Sequence, residues 1–109
     1  MYKLDIQKFK SLPSCVNVYA DGIGGFCAQG KLIAASGLAD NSNYMSVGRA
    51  CIDVLMNEDG NHPEKLIKVA EINNNGWFKE ADALALEWAV ESGKFELVNC
   101  VKEEELVNA

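Results

Sequence analysis

The hydrophobic period of this chain changes once, at Ala39-Asp40-Asn41-Ser42-Asn43, and no other feature limits the fold as strongly. Upstream, apolar residues come in short runs between turn formers. Cys15-Val16-Asn17-Val18-Tyr19-Ala20 has strand composition, and Asp21-Gly22-Ile23-Gly24-Gly25 is a turn cluster. Phe26-Cys27-Ala28 and Leu32-Ile33-Ala34-Ala35 then flank a Gln29-Gly30 turn, so the expected structure is an antiparallel meander. Residues 2–10 alternate at Tyr2, Leu4 and Ile6 but place Phe9 three after Ile6; strand and helix both fit, and the strand is preferred.

Downstream the period is 3.6. Tyr44, Val47, Cys51, Val54 and Leu55 share one helical face behind Ser42 or Asn43 as N-cap. Pro63 opens a second helix carrying Leu66, Val69 and Ala70, and Asn73-Asn74-Asn75-Gly76 breaks it. A third helix runs from about Phe78 to Ser92 with Gly93 at its C′ position, and residues 95–101 read as a final strand. A meander followed by helices, without βαβ alternation, predicts an α+β fold. The expectation is an antiparallel sheet (meander plus C-terminal strand) covered on one face by about three helices, in one domain spanning 1–109.

The chain is 49% hydrophobic, enough for one core, yet no apolar run approaches the roughly 18 residues of a membrane span. Met1-Tyr2-Lys3-Leu4-Asp5 lacks the pattern of a secretory signal, and a cytoplasmic location is expected. Cys15, Cys27, Cys51 and Cys100 include no CxxC pair and have no matching histidines, so they are expected to be reduced rather than zinc-binding. Cys15, after Pro13-Ser14, is the most reactive candidate.

The net charge of −6 is local. Residues 1–79 balance, whereas Glu80, Asp82, Glu87, Glu91, Glu96, Glu103, Glu104 and Glu105 face only Lys94 and Lys102. Such a field repels phosphate backbones and attracts basic protein surfaces, which disfavours direct nucleic-acid binding. The third helix also carries too much apolar surface for one core. Trp77, Ala81, Leu84, Ala85 and Trp88 form a core-facing stripe, while Ala83, Leu86 and Val90 form a second strip nearly opposite, edged by Glu80, Glu87 and Glu91. An apolar strip with a charged rim is an interface pattern, unless the helix is central and buried on both sides.

Other candidate chemistry is incomplete. The 21–25 cluster lacks the third glycine of a dinucleotide loop, because Cys27 stands there, and a strand rather than a helix is expected to follow. Asp40-Asn41-Ser42-Asn43 opens like a calcium loop but has Met45 for glycine at the sixth position and Cys51 for glutamate at the twelfth. His62 stands alone between Asn61 and Pro63. Val18-Tyr19-Ala20-Asp21-Gly22 resembles the first strand of the ribonuclease H fold, but Asn43, Tyr44 and Met45 occupy the place of the second carboxylate. Residues 32–37, 44–50 and 63–70 resemble the strand and helix pair of proteasome-type N-terminal-nucleophile hydrolases, without the half that carries the nucleophile. Neither resemblance carries an activity to this chain.

The expected function is therefore a non-catalytic acidic binding or inhibitor protein. In size and charge it resembles toxin-immunity and phage anti-defence proteins. It would occupy a basic or mixed surface of a protein partner through Glu80, Ala83, Leu86, Glu87, Val90 and Glu91, with no cofactor or metal. The alternatives are a homodimer seam at the same strip, or a small hydrolase or transferase using Cys15 or His62 with Asp21.

Overall fold

The computed structural model describes residues 1–99. Within them a strand β1 (Tyr2–Asp5) runs directly into helix α1 (Ile6–Ser11), because the Asp5 carboxylate accepts the Gln7 and Lys8 amides and so caps the helix. Both halves of the ambiguous 2–10 pattern are thus realised in succession. Helices α2 (Ala28–Ala35), α3 (Tyr44–Leu55), α4 (Glu64–Asn74) and α5 (Phe78–Glu91) follow, and strand β2 (Phe95–Val98) closes the order.

The expected antiparallel sheet is overturned. Five helices and two short parallel strands make the described residues mostly helical, with Tyr2 opposite Phe95 and Asp5 opposite Val98. Residues 15–20 form no strand; their only β-pairing is by isolated bridges at the ends, Ser14 with Phe26 and Ala20 with Phe26. The predicted hairpin around Gln29-Gly30 is helix α2. Its residues are buried on all sides, so no polar face marks a 3.6 period in the sequence. Gly30 is there for closeness, not for a turn: a Cβ on it would strike the Tyr19 carbonyl oxygen.

Downstream the expected helices are present. Asn43 caps α3 by accepting the Met45 and Ser46 amides, and α3 turns Val47, Cys51 and Leu55 inward. Pro63 precedes the first turn of α4, which buries Leu66 and Val69, each worth roughly 1.5–3 kcal/mol of apolar burial. Gly93, at φ 74°, ends the chain's turn after α5, and its N–H bonds the Val90 carbonyl. Val101, placed in the final strand by the sequence, lies outside the described residues, as do Cys100 and the Glu103-Glu104-Glu105 run.

Helix α2 is the hub. It packs against α1, α3, α4 and α5 and touches β1, while α4 and α5 form an antiparallel pair across a short turn at Asn75–Trp77. The Lys94 ammonium pins the C-terminal end of α3 by donating to the carbonyls of Val54 at 2.7 Å and Met56 at 3.2 Å. This order packs α3 and α4 each against α2 rather than against one another. No helix among the described residues is long and apolar enough to cross a membrane.

Candidate functional site

Where α3 and α4 diverge, a cleft of about 790 Å³ opens. One wall is α3, through Tyr44, Met45, Gly48, Arg49 and Ile52. The other is α4, through Ile67, Ala70 and Asn74, and the 17–20 segment closes one end. Its floor is the start of α2, with Cys27, Ala28 and Gln29. Val18, Tyr44, Met45, Ile52 and Ile67 are all exposed around it. Scattered exposed apolar residues are ordinary, but their convergence on one concavity is the usual form of a binding site.

Polar groups hold this cleft in shape. Asn73 is fully buried: its Oδ1 accepts the Ala28 amide at 3.1 Å and its Nδ2 donates to the Cys15 carbonyl at 2.8 Å. Next to it, Asn74 Oδ1 accepts the amide of Asn17, which sits in the left-handed region at φ 68°. That conformation costs a non-glycine residue about 1 kcal/mol or more, and the Asn74 bond helps to hold it. The Tyr19 ring lies against Gly48, and burial pushes its phenol up. The Gln29 side chain donates from Nε2 to the Leu66 carbonyl at 3.0 Å, which fixes the orientation of the amide, since a carbonyl can accept only from nitrogen.

Catalytic alternatives find little support from their surroundings. Burial pushes the Cys15 thiol up to about 11, with Cys27 and Asp21 adding to the effect, so the nucleophilic thiolate is scarce at neutral pH. Burial also raises the Cys27 thiol. Asp21 is engaged in its own turn, accepting the Ile23 and Gly25 amides at 2.9 and 2.8 Å, and these bonds hold its carboxyl below the usual range. His62 stands on the exposed rim of the cleft.

A helix does follow the 21–25 loop, against expectation. Its first amides are nevertheless taken, Ala28 by Asn73 Oδ1 and Gly30 by Cys27 Sγ, so they are not offered to a phosphate. Asp40 likewise spends its carboxylate on Ser42, and no group of three or more metal-ligating side chains is gathered among the described residues.

Sequence reasoning missed a buried ion pair inside α2. Lys31, 2% exposed, places Nζ 2.7 Å from both Asp82 Oδ2 and Ser14 Oγ, and 6.0 Å from the centre of the Phe9 ring. A serine beside a lysine can be a nucleophile and base, but only if the lysine is neutral. Here the Lys31 Nζ is already engaged by the Asp82 carboxylate. Desolvation raises the Asp82 carboxyl more than the Lys31 bond lowers it, and Asp82 Oδ1 is buried without a partner.

On α5 the expected partner-binding residues do lie on one surface. Glu80, Ala83, Glu87, Val90 and Glu91 are exposed, and Leu86 is half-buried against the core. The helix is therefore not sandwiched: its second strip stays uncovered, with Val90 54% exposed. The acidic edge is weaker than its sequence. Lys65 of α4 pairs with Glu91 and, at 3.4 Å, with Glu87, leaving Glu80 beside Trp77, itself 63% exposed.

No family model, curated protein or solved structure matches this chain. Its site must be read from its own residues. Of those in the cleft, the sequence had marked His62 and Cys27, neither for this place. Met45 and Ile52 offered a signal, since they fall outside the buried stripe of α3, whereas Tyr44, expected on that stripe, is exposed instead. Gln29 offered none, because its helix was not foreseen.

Proposed function

We propose that this protein is a non-catalytic binding protein whose ligand buries an apolar group in the α3–α4 cleft. The observation that carries the reading is the cleft itself: a concavity of about 790 Å³ rimmed by exposed Val18, Tyr44, Met45, Ile52 and Ile67. Its volume lies in the range of small-molecule sites, and its walls join a mostly apolar lining to a few fixed polar groups. The raised Cys15 thiol and the engagement of Lys31 by Asp82 support binding rather than catalysis.

The test is a fluorescence titration with N-phenyl-1-naphthylamine, an uncharged anilinonaphthalene, on the native protein, with near-UV circular dichroism as the control for intact packing. Saturable binding is expected, weakened at least five-fold by Ala70→Phe, which fills the cleft. Binding of equal strength in that variant, or none to the wild type, would overturn the reading.

A second reading is favoured by Trp77, an exposed aromatic of the kind that anchors interfaces, standing beside Glu80 on α5. In it, α5 meets a basic or mixed protein surface, or a second copy of the chain, through the Ala83, Leu86 and Val90 strip. Mass by light scattering across concentration and salt, with Val90→Glu as comparison, separates self-association from a face left open to another protein.

A further inference from the structure

We infer that the cleft is specific for a small, uncharged, planar aromatic molecule carrying a ring N–H donor, which it receives on the side-chain oxygen of Gln29. This rests on the cleft-binding reading and names its ligand class. Gln29 is 4% exposed, yet its polar end is only half used. Nε2 is committed to the Leu66 carbonyl, and no protein donor reaches Oε1 among the described residues. Nor is Oε1 one of the unpartnered oxygens sealed in the interior, which among the described residues are Ser36 Oγ, Asn41 Oδ1 and Asp82 Oδ1. Gln29 forms part of the cleft floor, where an acceptor that is neither bonded to the protein nor sealed in the interior is available to a ligand.

Water serves an accessible carbonyl oxygen in the free protein, so a ligand that covers it must bring a donor of its own or leave the oxygen unpaired in an apolar setting, which costs affinity. The rest of the lining selects the ligand's body. Tyr44 stands at the mouth with its ring beside Gly22, Tyr19 lies deeper, and Met45 adds a polarisable thioether, all favourable partners for an aromatic ring. The lining contains no carboxylate that could balance a cationic ligand. Of its two basic side chains, Arg49 already faces Asp53 at 3.6 Å and His62 lies on the rim. An uncharged ring with one donor meets every group on the floor without stranding a charge.

The experiment compares indole with 1-methylindole by chemical-shift titration, following the Gln29 side-chain amide and the α3 and α4 backbone amides. The two probes share shape and ring, and differ in the donor. Indole is expected to bind about ten-fold tighter, with a shift of the Gln29 Nε2 resonances that 1-methylindole does not produce. Gln29→Met should remove the preference while leaving weak binding of both. If that variant does not fold, the Gln29 resonances of the wild type still decide. Equal binding of both probes in the cleft would overturn the donor assignment and leave the cleft reading standing. Absence of binding by both probes and by the anilinonaphthalene dye would overturn both. N-acetyltryptophanamide binding ten-fold tighter than indole would overturn the small-molecule assignment in favour of a tryptophan side chain of a protein.

Discussion

Replacing Lys31 with methionine tests how the centre of this fold is held. Methionine keeps the length and most of the volume of lysine, so the apolar stem stays packed while the ammonium is lost. Asp82 is left with two oxygens to satisfy in partly buried surroundings, one of which already lacks a partner, and Ser14 Oγ loses its donor. Removing one member of a buried pair costs about 3–5 kcal/mol, because the remaining charge is stranded. The Asp82 side chain is 23% exposed, and water reaching it reduces the cost to roughly 2–4 kcal/mol at pH 7. For a domain of this size that lowers the Tm by roughly 10–20 °C.

The pH dependence has a definite sign. The folded Asp82 carboxyl titrates above its unfolded value of 3.8, so the folded state holds that proton at higher pH than the unfolded state. Stability from this group therefore falls as pH rises through the window between the two values. Without Lys31 the carboxyl rises further, so the deficit of Lys31→Met should shrink as pH is lowered into that window. Urea unfolding from pH 4 to 8 measures it. Lys31→Met/Asp82→Leu, which strands no charge, should recover to within about 1 kcal/mol of wild type. A loss below about 0.5 kcal/mol in Lys31→Met, or a double variant no better than the single, would refute the reasoning.

The remaining predictions use other parts of the molecule. Asp5, Asp21 and Asp40 titrate below 3.8 because backbone and hydroxyl donors favour their ionised forms, so their stability is present above that pH and is lost as pH falls through the lowered values. Acid unfolding of Asp21→Asn should accordingly be shallower below pH 4 than that of the wild type. At pH 7.4 iodoacetamide should modify Cys15 about 100-fold more slowly than a thiol of pKa 9.0, since its thiol titrates at about 11; rapid alkylation, followed by peptide mass mapping, would instead revive the hydrolase or transferase alternative. Gly30→Ala should cost more than about 3 kcal/mol in urea unfolding, since its methyl group meets backbone rather than a movable side chain. Val90→Glu should leave the Tm nearly unchanged, whereas Leu86→Glu, half-buried, should cost about 1–2 kcal/mol.

What the sequence made legible follows from which helices have two environments. α3, α4 and α5 each present one face to the core and one to water, so their apolar residues repeat at 3.6 and their ends carry the expected signals at Asn43, Pro63 and Gly93. α2 has one environment. With Ala28, Leu32, Ile33, Ala34 and Ala35 apolar, and Gln29 and Lys31 also buried, its pattern has no period, and Gln29-Gly30 imitates a turn. That misreading produced the wrong fold class: once 26–35 is taken for a hairpin, a meander is the natural continuation. Parallel pairing of β1 with β2 was illegible for another reason, since two four-residue strands at opposite ends of the described chain meet only after the intervening helices have packed.

The same misreading hid the candidate site. A polar residue within an apolar segment reads as a turn or an exposed position when no helix is foreseen, but inside a helix buried on every side it must find partners. Lys31 finds Asp82 and Ser14, and Asn73 finds both segments that flank the 16–26 loop. Of these three, Gln29 alone keeps an acceptor without a protein donor among the described residues, and Gln29 lines the cleft between α3 and α4. The bonds of Lys31 and Asn73 join segments of the fold and are simple architecture. An unspent oxygen at the floor of an apolar cleft is instead what a site looks like when its last hydrogen-bond donor arrives with the ligand.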